Sequence, residues 1–143
     1  MLKVDPSGPA VRALLAGPSA ATLTVHRHDG HAVTVPVWPR FTGDAFEILV
    51  PAGDPKLAYL ERDPRCVVTV FQTVRPFLGY ALRSTVTSIE PDTNSDLRRA
   101  VAILYPGEED GVAFADLARR PPGFRLRIPA DGARAWDLTD VLP

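Results

Sequence analysis

Lysine is nearly missing from this chain: 14 arginines stand beside only two lysines, Lys3 and Lys56. Cysteine occurs once, as Cys66. That excludes an internal disulfide and suits a reducing, cytosolic setting. No apolar run approaches the roughly 18 residues of a membrane span. The opening Met1-Leu2-Lys3-Val4-Asp5-Pro6 also lacks the apolar block of a signal peptide. Neither sign of charge is in excess, because 16 basic and 17 acidic residues leave a formal net charge of −1. A broad basic footprint for nucleic acid is therefore absent. Phosphate-cradling Walker loops, nucleophile elbows and paired-carboxylate signatures are missing too. The expectation is a cytoplasmic protein with neither a nucleic-acid nor a membrane partner.

What is there is enough for a core. With 143 residues, 45% of them hydrophobic, the chain is expected to fold as one domain, 1–143, burying about two thirds of its unfolded surface. Ser7 to Gly17 predicts a short helix capped by Ser7, with Pro9 in its first turn and Val11, Leu14 and Leu15 on one face. Ala21 to His28 alternates as a strand. Asp29-Gly30 signals a two-residue hairpin turn, and His31 to Trp38 forms the return strand. A third strand spans Ala45–Val50. A helix follows, from Asp54 as N-cap to Asp63-Pro64, where proline turns the preceding residue away from helical geometry. Arg65 to Thr73 reads as a central strand, apolar on both faces. Phe77 to Ile89 reads as one long strand whose alternation is only partly clean.

Asn94 to Tyr105 has helical spacing in Leu97, Val101 and Leu104, with Arg98-Arg99 expected outward. Pro106 to Gly111 is expected as a loop and Val112–Ala118 as a second short helix. Two strands, Phe124–Ile128 and Ala133–Leu138, close the chain. Strands dominate and hairpin turns connect most of them. The predicted class is mainly β (α+β), a small antiparallel barrel with peripheral helices.

The scarce lysine then gains meaning. Lys3 lies in the N-terminal tail, but Lys56 falls in the first turn of the helix after Asp54, where its charge opposes the helix dipole. Free N–H groups and a cation at a helix start make a phosphate site. The alternative is a solvated lysine neutralised by Asp54. Trp38 either walls a pocket or packs in the core, and Pro36 within a strand marks an edge or bulge.

Other candidates have simpler readings. A two-residue turn would put His26, His28 and His31 on one face, but histidines beside a turn are ordinarily solvated, so no metal site is expected. Cys66, among apolar neighbours, is expected to be buried and inert. Arg98-Arg99 and Arg119-Arg120 read as solvated helix faces. No residue stands out as a general acid, and the catalytic residues stay unassigned.

The ordered set of strand, Asp-Gly hairpin, strand ending in Pro36-Val37-Trp38, strand, Gly53-x-x-Lys56, and helix ending in Asp63-Pro64 resembles a known family. These are the split β-barrel flavin-binding proteins related to pyridoxamine 5'-phosphate oxidase, with their deazaflavin-dependent branch. The resemblance extends through Arg65–Thr73, Tyr80–Thr87 and the closing Arg134-Ala135-Trp136-Asp137, so it spans nearly the whole chain. It implies a split antiparallel β-barrel, and a homodimer with two cofactor sites at the subunit interface. The cofactor would be FMN or deazaflavin F-420. It also implies Lys56 on the cofactor phosphate, Val35, Pro36, Val37 and Trp38 along the ring, and Trp136 completing the pocket. The activity implied is hydride transfer to a small molecule. A cofactor-free dimer of the same fold, acting as a ligand-binding or structural protein, is the rival, because Asp54 and Pro55 replace family positions at the phosphate turn. Ser84, where the family commonly has glycine, is a further departure.

Overall fold

The computed structural model describes residues 1–117 and 122–143. In chain order the elements are β1 (Leu2–Val4), α1 (Pro9–Ala16), β2 (Ala20–His26), β3 (Ala32–Pro36), β4 (Arg40–Phe41) and β5 (Ala45–Val50). Then come α2 (Pro55–Arg62), β6 (Arg65–Phe71), β7 (Gly79–Thr85), β8 (Ser88–Pro91), α3 (Asp96–Leu104), α4 (Glu108–Leu117), β9 (Phe124–Pro129) and β10 (Arg134–Asp137). The chain is mainly β, with two antiparallel sheets. Six strands run in the order β1-β10-β7-β6-β2-β3, and four in the order β4-β5-β9-β8.

Period-two patterning explains which faces meet. Ala21, Leu23 and Val25 of β2, Cys66, Val68 and Val70 of β6, and Tyr80 and Leu82 of β7 are buried. They share one apolar cluster with Phe46, Ile48 and Val50 of β5 and Leu126 and Ile128 of β9. Helix α1 adds Val11, Leu14 and Leu15 to that cluster. As expected, β6 is central, between β7 and β2.

The expected long strand from Phe77 to Ile89 is in fact two. The Val86 N–H still donates to the Pro64 carbonyl (2.8 Å), but the next one, of Thr87, donates to Arg127 on β9 (2.9 Å). The chain changes sheets between those two residues, which is why its alternation is imperfect. Ser84 ties the sheets together there, its hydroxyl donating to the Pro129 carbonyl at 2.6 Å.

Several local expectations need correction. The hairpin register pairs His26 with Ala32, and the Arg27 N–H donates to the His31 carbonyl at 2.8 Å. The turn therefore holds three residues, His28-Asp29-Gly30. Gly30 takes a positive φ of 85°, which a three-residue hairpin requires, and the Asp29 carboxylate accepts the His31 N–H at 3.0 Å. Lys3 is not in a loose tail but in β1, opposite Trp136. Helix α1 starts after Gly8 with no side-chain cap, so Ser7 does not serve as one.

Helix α4 begins at Glu108, so Gly111 belongs to a helix rather than a loop. A Cβ at Gly111 would run into the Ala102 carbonyl; this glycine allows α3 and α4 to approach. Arg98 is 8% exposed rather than outward, while Arg99 is exposed. Arg119 and Arg120, and Ala118 of the expected second helix, lie outside the described residues.

Candidate functional site

The turn from β5 into α2 folds as its residues dictate. Gly53 supplies a positive φ of 82°, Asp54 is the N-cap, and Pro55 occupies the first helical position, where its missing N–H is not needed. Asp54 then uses both carboxylate oxygens on Lys56. Oδ1 accepts the Lys56 backbone N–H at 2.8 Å, and Oδ2 accepts from Nζ at 2.8 Å. The Leu57 N–H donates to the Asp54 carbonyl at 3.1 Å.

This sharpens the phosphate reading and corrects part of it. The first turn does not offer free N–H groups: Pro55 has none, and those of Lys56 and Leu57 are occupied by Asp54. What remains for an anion is the ammonium itself. It carries three donors, of which one is engaged, on a side chain only 17% exposed. The residues fit a phosphate through Lys56 as a point charge, with Asp54 as the competing anion.

Strand β3 is the open edge of the six-stranded sheet, as Pro36 foretold. Hydrogen bonds at both ends of the β2–β3 ladder use odd-numbered partners, Arg27 with His31 and Val37 with Ala21. By the antiparallel alternation, Val33, Val35 and Val37 bond to β2. The backbone of Thr34, Pro36 and Trp38 faces the open edge. The Val35 and Val37 side chains pack against the core cluster. Both side chains are half-buried, whereas Pro36 between them is exposed.

Trp38 is 45% exposed and stacks on Tyr105, with ring centroids 5.3 Å apart and planes within 4°. Tyr105 is fixed in turn, donating its hydroxyl to the Pro39 carbonyl at 2.8 Å. Burial pushes the Tyr105 phenol up to about 12. Nothing in the sequence spacing pointed to Tyr105 as the neighbour of Trp38.

Trp136 lies elsewhere. It sits over Gly79, where a Cβ would come within 2.5 Å of the indole, and the Arg134 guanidinium lies 6.0 Å from its ring centroid. Ala20 pairs with Phe71, Phe71 with Gly79, and Gly79 with Trp136. Extending the β2–β3 register puts Trp38 opposite Ala20. The two tryptophans are therefore four strand spacings apart, roughly 19 Å along the sheet. One chain does not bring them into a common pocket.

Among the described residues no cluster of three metal-ligating side chains exists. His28 packs edge-on against Tyr59 (5.3 Å), and His31 Nδ1 lies 3.1 Å from Asp29. Cys66 is buried, and burial pushes its thiol up to about 11.

Sequence reasoning missed a second electrostatic centre. Asp92, 0% exposed, accepts the N–H groups of Leu97 (2.9 Å) and Arg98 (3.0 Å) at the start of α3. Arg125 lies 3.6 Å from Asp92 and 3.2 Å from Glu47, which also pairs with Arg40 at 2.9 Å. Asp92 is too far upstream to read as an N-cap. Asn94 and Ser95 take positive φ (58° and 55°) and fold the chain back so that its carboxylate reaches the helix start.

Comparison with known proteins adds the fold. No protein-family model matches the sequence, and no curated protein matches it. Solved structures do. An F420 reductase superposes with a TM-score of 0.71 at 16% identity, covering 85% of this chain and 94% of its own. A FAD-binding protein from Mesorhizobium loti gives 0.65 at 17% identity, with 93% of each chain covered. A Clostridium acetobutylicum protein of the pyridoxinephosphate oxidase family, related to general stress protein 26, gives 0.65 at 14%, covering 91% of this chain and 88% of its own. The chain shares their fold. Its structural neighbours thus include the kind of protein its motifs resemble, and at such identities the likeness concerns architecture rather than chemistry.

Proposed function

We propose that the two sheets are the halves of a split antiparallel β-barrel, and that the chain is a flavin- or deazaflavin-dependent oxidoreductase. It would work as a cytoplasmic homodimer with FMN or F-420 at the subunit interface. The observation that carries this reading is Lys56: in a chain almost without lysine, one is held at a strand–turn–helix junction with two ammonium donors left over. The neighbours, which include an F420 reductase and a FAD-binding protein, support it. In this reading Lys56 holds the cofactor phosphate, and the strand from Val35 to Trp38, with its open edge at Pro36, borders the ring. Trp136 of the partner subunit completes the pocket, because the spacing along one sheet separates it from Trp38. The bound cofactor would supply hydride chemistry, and the protein binding and orientation.

A second reading has its own observation. Asp54 already caps the helix and neutralises Lys56, which suits a cofactor-free dimer that binds another small ligand or is structural. The visible spectrum of the purified protein, followed by separate titrations with FMN and F-420, decides between them. Binding of neither cofactor sinks the oxidoreductase reading. Where one binds, Lys56→Ala should weaken it at least tenfold, on the order of one charge-assisted contact. Unchanged affinity would put the phosphate elsewhere.

A further inference from the structure

At one end of the space between the sheets lies a cleft of about 310 Å³, formed without any residue of the cofactor reading. Leu15, Phe41 and Ala133 give it apolar walls, and Tyr80 lines it from the core side. Tyr80 is 2% exposed, its ring edge-on to Phe46 with centroids 5.8 Å apart. Among the described residues its hydroxyl has no hydrogen-bond partner, and the residue lines the cleft. Buried phenols ordinarily find a partner. Here the open cleft is where one can arrive.

The chemistry of that partner follows from the lining. Burial holds the Tyr80 phenol up to about 12, so near neutral pH it is an uncharged donor. The rim carries Arg12, Asp44 and Asp131. Asp44 is engaged already, 3.5 Å from the Arg127 guanidinium and 2.8 Å from the Thr42 hydroxyl. Arg12, whose Nε donates to the Ser7 carbonyl at 3.2 Å, and Asp131 add one charge of each sign. Such a rim favours neither an anion nor a cation. The volume is at the small end for ligand pockets, about right for one ring.

We propose that this cleft binds a small uncharged ring compound that presents a carbonyl oxygen to the Tyr80 hydroxyl, its ring held between Phe41 and Leu15. The site is separate from the cofactor reading and stands or falls independently of it. The structure assigns it no redox step.

Three single-ring probes test it on the full chain: benzamide, benzoate and benzylamine, followed by protein amide shifts and ligand saturation transfer. Benzamide should bind, shift the amides of residues 130–133, and bind at least about fivefold more tightly than either charged probe. Tyr80→Phe should weaken benzamide roughly fivefold, the worth of one neutral hydrogen bond. It should not lower the melting temperature, because the lost hydroxyl has no protein partner. Ala133→Leu, which fills the cleft without touching Tyr80, should abolish binding. Equal binding of all three probes, no benzamide binding at millimolar concentration, or unchanged affinity in both variants would overturn the proposal. Each would mark a cleft that holds only water.

Discussion

Asp54→Ser separates two jobs that one carboxylate performs. Serine is as good an N-cap as aspartate, so its hydroxyl can keep the bond to the Lys56 N–H while releasing Nζ. The Asp54–Lys56 ion pair is largely shielded, its side chains 19% and 17% exposed, so its loss should cost about 1–3 kcal/mol of stability. An anionic ligand should gain instead. Nζ is 2.8 Å from Asp54 Oδ2, and a phosphate oxygen on its other side would sit at a similar distance. Carboxylate and phosphate would then be about 5 Å apart. A dianion and a monoanion at that spacing repel by about 1.7 kcal/mol even in the bulk-water limit. Relieving this should tighten FMN binding between ten- and twentyfold, on the order of 1.4 kcal/mol per factor of ten. Flavin fluorescence quenching across a titration, at one fixed salt concentration, measures it directly. Unchanged or weaker binding by Asp54→Ser, with the fold intact by circular dichroism, would refute the idea that Asp54 obstructs a phosphate at Lys56.

Other outcomes follow from packing and charge. Gly79→Ala should displace the Trp136 indole and destabilise by about 1–3 kcal/mol, seen as a lower urea midpoint and altered tryptophan emission. Asp92→Ala strands two buried N–H donors at the start of α3, and should cost about 2–4 kcal/mol by urea unfolding. Cys66 should resist thiol reagents at pH 8 until the protein unfolds. Its thiol is raised from 9.0 to about 11 in the fold, so above pH 9 the unfolded chain releases a proton that the folded one keeps. Stability should therefore fall as pH rises from 9 towards 11, and Cys66→Ala should flatten that slope.

Elements with a local cause were legible in the residues. The α2 boundaries, the edge position of β3 and the central place of β6 follow from proline, capping and apolar alternation, which act over a few positions. The missed features depend on partners distant in sequence. The sheet change at Val86-Thr87 is decided by whether Pro64 or Arg127 accepts the next N–H. Asp92 reaches α3 only because two non-glycine residues adopt positive φ. Gly111 looked like a loop residue because glycine has two uses, and the close approach to Ala102 cannot be seen in its neighbours. For the site, Lys56 and its tie to Asp54 were readable from spacing. The inward turn of Val35 and Val37 was readable in principle from alternation. The distance between Trp38 and Trp136 required the full strand order.

That strand order has a last consequence, for growth rather than for binding. A sheet that ends in unpaired backbone invites another strand to join. Here one margin is β1, only three residues long. The other is β3, five residues long, whose last outward-facing position is Pro36, with no N–H to offer. Each margin is a poor template, one by brevity and one by a missing donor. The six-stranded sheet is thus self-terminating, and copies of this chain should meet through their faces instead of threading into a continuous ribbon. Pro36→Thr would restore the donor, and with it the hazard.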